Sequence, residues 1–234
     1  MRTGILLLAC LIALGLPQAA PGMDPSTVAN EAVKIAEARK ANAALMHQYS
    51  WNSRVEIVVN AQVKDTRIEQ LSYNPFGQLQ RITLNDQGGT LHTLPTPIGF
   101  LRRGIAEVKK EEMQEYLHGL RGLLEQYTLP TTGKILDFLM AASPSLSDAQ
   151  GLIKLSGKNV VQPGDNLNMW FNPWTKHLQH IQVNTTFQGN SVQLTATFAT
   201  LPGSGLNYAS FAEATVPDKQ LSVQVQNYNY VRSY

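Results

Sequence analysis

The chain has a single cysteine, Cys10, and it sits in the first apolar run rather than in the body of the sequence. Once that run is removed, no disulfide, thiol nucleophile or thiolate metal site is left, so packing alone must hold the fold. Charge is scarce too. Charged residues make up 15% of 234 and the formal net charge is +2, which excludes the basic field that draws nucleic acid or anionic lipid. The one basic cluster, Arg102, Arg103, Lys109 and Lys110, is followed at once by Glu111, Glu112 and Glu115, the pattern of a solvated helix face rather than a phosphate site. Long apolar runs are also missing. The longest, Ile5 to Leu16, falls well short of the roughly 20 residues a spanning helix needs, so no transmembrane segment is expected in the mature chain.

That short run is informative in itself. Arg2, the apolar stretch and then Pro17-Gln18-Ala19-Ala20 follow the order of a secretory signal peptide. Residues 1–20 read as the signal and 21–234 as one domain, placed in the periplasm or secreted. The alternative is a membrane-anchored lipoprotein, with Cys10 of "LLAC" carrying the acyl chain. Only Ile5 to Ala9 would then form the apolar region, shorter than the roughly 7–15 residues typical of exported precursors.

With 43% hydrophobic residues, the remainder suits a single sizeable core. From Asp24 to Tyr49 the apolar residues Val28, Ala32, Ile35, Ala36, Ala43 and Met46 fall near one stripe of a helix whose alanines make the face shallow. The period then drops to two. In "WNSRVEIVVNAQV", Trp51, Ser53, Val55, Ile57, Val59, Ala61 and Val63 point one way, the signature of a long half-buried strand. A turn at Lys64-Asp65 and a second at Asn74-Pro75-Phe76-Gly77 then give two further strands. The stretch from Asn85 to Phe100 holds Gly88-Gly89, Pro95 and Pro97 and reads as a loop. A helical insert near 101–142 follows, with a strong first helix up to Tyr127 and a short apolar one in "GKILDFLMAA". Ser143 to Asp148 reads as a loop, and from Leu152 onward alternating apolar residues describe a meander. The sum is an α+β protein, a curved antiparallel sheet of about nine strands wrapped around helices.

The device aromatic-Asn-Pro-aromatic occurs twice, in "LSYNPFGQLQRI" and "MWFNPWTKHLQHI". Asn bonds its own backbone and Pro presets φ, so the repeat is first a hairpin device, with a longer loop in the second copy.

Helix, long hairpins, a helical insert and a terminal meander form an order that resembles the half-barrel of periplasmic lipoprotein carriers, the LolA and LolB type, shared by the sensor domain of RseB. The motifs "YSWNSRVEI", "KKEEMQEYL", "VQPGDNLNMWFNPWTKHLQHIQV" and "VQVQNYNYVR" are similar to those of a group of exported bacterial proteins, a likeness that implies export and fold but no chemistry. The carrier resemblance implies a cavity between sheet and helices that takes a lipid or a lipid-modified polypeptide.

Val55, Ile57, Val59, Met169, Phe171, Ile181 and Phe198 are the candidate ligand-binding residues on the sheet, with Leu117, Leu120 and Leu124 opposite and the loop from Asn85 to Phe100 as a lid. The competing reading is a solid-cored envelope scaffold that meets a protein partner through Trp170 and Trp174. An enzyme is third, since no Gly-x-Ser-x-Gly elbow, phosphate loop or His-Glu-x-x-His helix is present. No catalytic residue and no cofactor is assigned. His177 and His180 invite a metal, yet on a strand their spacing points them to opposite faces, so no metal ligand is assigned either.

Overall fold

The computed structural model describes residues 25–87, 100–129, 138, 142–147 and 151–233. The expected signal peptide, most of the expected lid and most of the expected short apolar helix lie outside the described residues. Helix α1 (Pro25–Met46) leads into β1 (Tyr49–Val59), β2 (Gln62–Tyr73) and β3 (Leu79–Gln87). Helix α2 (Phe100–Thr128) follows, then β4 (Ser143–Ser147), β5 (Leu152–Lys158), β6 (Asn166–Phe171), β7 (Leu178–Phe187), β8 (Asn190–Thr200), β9 (Asn207–Val216) and β10 (Leu221–Arg232). The strands form one antiparallel sheet in the order β3-β2-β1-β10-β9-β8-β7-β6-β5-β4. Pairing of β10 with β1 joins the N-terminal hairpins to the C-terminal meander, while β3 and β4 are open edges.

The sheet curls around α2. Arg121 on that helix bonds Glu69 on β2, Tyr116 packs edge-on to Phe187 at the end of β7, and Tyr127 donates to Asp165 ahead of β6 at 2.7 Å. One helix can reach all three only if the sheet bends about it. The core so enclosed is continuous, running from Val55 and Ile57 through Leu120 and Leu124 to Phe171, Ile181 and Val223. The α+β architecture is therefore as expected, with ten strands against the expected nine or so.

Two differences have local causes. The first hairpin turns at Asn60-Ala61, both left-handed (φ 51° and 59°), not at Lys64-Asp65. Such a two-residue turn matches the twist of the flanking strands, and Asn tolerates its first position. Val63 is then exposed and Asp65 and Glu69 face inward. The extra strand is β4, expected as a loop. Its Ser-Pro-Ser sequence has no strand propensity, but it lies at the sheet edge beside β5, where proline is tolerated.

The Asn-Pro turns behave as expected. Asn74 Oδ1 accepts from the amides of Phe76 and Gln78 at 2.9 Å, and Asn172 Oδ1 from those of Trp174 and Thr175 at 2.9 and 3.0 Å. The left-handed position falls to Gly77 in the first and to Lys176, one residue later in its loop, in the second. Strand directions put both turns, the β8–β9 turn and the start of β1 at one end of the sheet. Helix α1 crosses that end. Its Glu31 pairs with Lys176, Asn42 exchanges two 2.7 Å bonds with the backbone of Asn207, and His47 packs 4.3 Å from the ring of Tyr73.

Candidate functional site

Among the described residues two clefts flank the packed core. The smaller, about 320 Å³, lies between α2 and the β2-β1-β10 face, with Val55, Ile57 and Val223 as floor and Leu117, Gln114 and His118 as roof. The larger, about 480 Å³, lies under α1, bounded by that helix, the end of α2 and strands β8 and β9.

These clefts divide the residues expected to line one cavity. Val55, Ile57 and Leu117 border the smaller cleft and Phe198 borders the larger. Leu124 edges a void of about 20 Å³ beside Trp51 and Leu71. Leu120, Met169, Phe171 and Ile181 are buried within the core and line neither cleft, and Val59 packs half-buried at its margin. The centre of the concave face is thus filled by protein, and open volume remains at its flank and its end.

Trp170 and Trp174 differ in setting. Trp174 is 83% exposed at its hairpin tip, as Phe76 is at 87% on the other. Trp170 is half-buried on the outer face, its ring 5.2 Å from that of His180 and 5.3 Å from Lys154 Nζ. His177 Nδ1 lies 2.9 Å from Thr200 Oγ1, and burial lowers the pKa of both His177 and His180. Among the described residues no group of three His, Cys, Asp or Glu is placed to hold a metal.

Polar groups inside the clefts escaped the sequence reading. In the smaller, Asp65 is 4% exposed; its Oδ2 accepts from Arg67 Nε at 3.1 Å while Oδ1 has no partner among the described residues. In the larger, the half-buried Arg39 shares the cleft with the apolar Met46, Leu129 and Phe198 and with polar residues such as Asn42 and Thr128, and among the described residues its hydrogen bond is a 3.4 Å one to Asn207 Oδ1. Burial lowers its pKa from the usual 12.5 to about 10. A signal for Arg39 exists in the sequence: Ile35, Arg39, Asn42 and Met46 recur at helical spacing, so a cation and an amide stand in the apolar stripe. Asp65, Arg67 and Glu69 likewise take alternate inward positions of β2.

No family model and no curated protein matches this chain. Three solved structures are similar to it over most of its length. One is a DUF1329 family protein from Desulfovibrio piger ATCC 29098, at 9% identity and a TM-score of 0.38, covering 88% of this chain and 92% of that one. Another is a LolA superfamily protein from Nitrosomonas europaea, at 10% and 0.40, covering 87% and 93%. The third is an outer membrane lipoprotein-sorting protein domain from Vibrio parahaemolyticus, at 11% and 0.38, covering 86% and 93%.

Proposed function

We propose that this is an exported, non-enzymatic protein that binds a ligand with an apolar part, a lipid or the lipid of a modified polypeptide, at the end of a half-barrel. The observation that carries the reading is the 480 Å³ cleft under α1, within the roughly 300–1,000 Å³ range of small-molecule sites. Its walls include Met46, Leu129 and Phe198, and each methylene buried against them contributes about 0.8 kcal/mol. The seat is narrower than the whole concave face because α2 occupies the centre. Export rests on residues 1–20, and no described helix is long and apolar enough to cross a membrane.

The test is native mass spectrometry of the protein purified from its exporting host without detergent, with lipid extraction of the same sample. A stoichiometric adduct is expected, and it should be lost on Ala44→Trp, which fills the cleft from an exposed position on α1. An unliganded mass for the wild type, or an adduct untouched by that substitution, sinks the assignment to this cleft.

A second reading has its own observation. Phe76 and Trp174 are exposed rings on turns at the same end of the sheet, a pair an envelope protein partner could grip. Alanine at both should abolish crosslinking to such a partner while leaving the ligand content unchanged.

A further inference from the structure

We propose that the larger cleft selects a carboxylate-headed amphiphile, its head seated on the Arg39 guanidinium and its tail on the apolar walls. This rests on the ligand-binding reading above and adds the head group to it. Arg39 offers five N–H donors in a planar fork, and among the described residues only Asn207 meets it, at 3.4 Å. Asn207 cannot turn to improve that contact. Its Oδ1 already accepts from the amide of Leu178 at 3.1 Å and its Nδ2 donates to the carbonyls of Leu178 and Ala199, which lock it into the sheet.

No acid lines the cleft among the described residues. Glu31, two turns back on the same stripe of α1, is held by Lys34 and Lys176. A half-buried cation with no counter-charge among the described residues is a cost to the folded state, and burial lowers its pKa accordingly. A carboxylate forms two parallel charge-assisted bonds with such a fork and cancels the penalty. One half-buried cation balances one charge, and the other basic groups at the cleft, Lys40 and His47, are exposed. A monoanion therefore fits better than a phosphate monoester, which carries about −1.5 to −2 at neutral pH.

The experiment is calorimetric titration of the exported protein with decanoate and with 1-decanol, for wild type, Arg39→Gln and Arg39→Lys, with thermal melts of each unliganded protein. Decanoate should bind wild type more tightly than decanol. Arg39→Gln should weaken decanoate by about tenfold to a hundredfold and leave decanol unchanged, Arg39→Lys should fall between, and Arg39→Gln should melt no lower than wild type. Equal binding of the two amphiphiles by wild type, or a decanoate affinity indifferent to Arg39→Gln, overturns the head-group assignment and leaves the ligand-binding reading standing. Loss of both ligands together with a lowered melting temperature makes Arg39 a structural residue and overturns it as well. If neither amphiphile binds wild type, both proposals fall.

Discussion

Arg121 ties the helical layer to the N-terminal hairpin. Its Nη1 and Nη2 donate to the two oxygens of Glu69 at 2.8 and 2.5 Å, and its Nε donates to Glu125 at 3.0 Å. Burial alone would raise the Glu69 pKa, but the bonds and charge of Arg121, with the charges of Arg81 and Arg67, outweigh it and hold the carboxylate below its ordinary value. A depressed carboxylate pKa contributes stability that is complete above the unfolded value of about 4.3 and is lost as pH falls through the folded one. Arg121→Ala leaves Glu69 inside without its partner. It should cost about 2–4 kcal/mol in urea unfolding at pH 7, toward the low end for a pair that keeps some exposure. The gap between wild type and variant should narrow as pH falls, first as the unpaired Glu69 of the variant takes up a proton above its ordinary range and then as the paired carboxylate of wild type does below it. A gap that stays constant with pH would show that Arg121 acts through packing and not through charge.

Among the elements, those whose form follows from nearby residues were legible in the sequence. The alternation of β1 from Trp51 to Val59, the apolar stripe of α2 from Tyr116 to Tyr127 and both Asn-Pro turns depend on side chains within a few positions of one another and are found where the pattern put them, whereas Ala61, Val63 and Met113, read as apolar-face residues, are exposed. What escaped depends on distant partners. Asp65 and Glu69 look solvent-facing until the turn is placed at Asn60-Ala61 and α2 supplies Arg121 from 52 residues away. Strand β4 exists because β5 offers it an edge, and Arg39 gains meaning only when α1 crosses the end of the sheet. Contact across the chain also decides the role of Gly157 on β5. A Cβ built there would stand 2.8 Å from Phe138 Cε2 and 3.0 Å from its Cδ2, and Phe138 is a 2% exposed core ring. Strand propensity favours alanine over glycine, yet the overlap wins. Gly157→Ala should destabilise by about 1–3 kcal/mol, measured by chemical denaturation, and pairing it with Phe138→Leu should restore part of the loss. Wild-type stability in the single variant would mean that Phe138 does not press on β5.

At the scale of the whole molecule, stability is unevenly spread. The sheet holds a continuous core around α2, whereas α1 buries Ile35 and Met46 among alanines and leaves Val33 exposed. Beyond those few apolar contacts, polar ones hold it to the sheet end: the Glu31–Lys176 pair and the Asn42–Asn207 exchange, with the tilted His47–Tyr73 ring contact just past its end. Such contacts contribute roughly 0.5–1.5 kcal/mol each, less than a packed apolar face. Helix α1 should therefore open locally at a free energy below that of global unfolding. Hydrogen exchange read by mass spectrometry should show α1 amides exchanging well before those of β8 and β9. Because α1 roofs the larger cleft, a ligand seated there binds only the closed form and must slow that exchange by its own binding free energy. Saturating decanoate is expected to protect α1 selectively in wild type and much less in Arg39→Gln. If α1 exchanged only with the whole sheet, the cleft would be a fixed feature of the core, and a ligand would have to enter from its side rather than by lifting the helix.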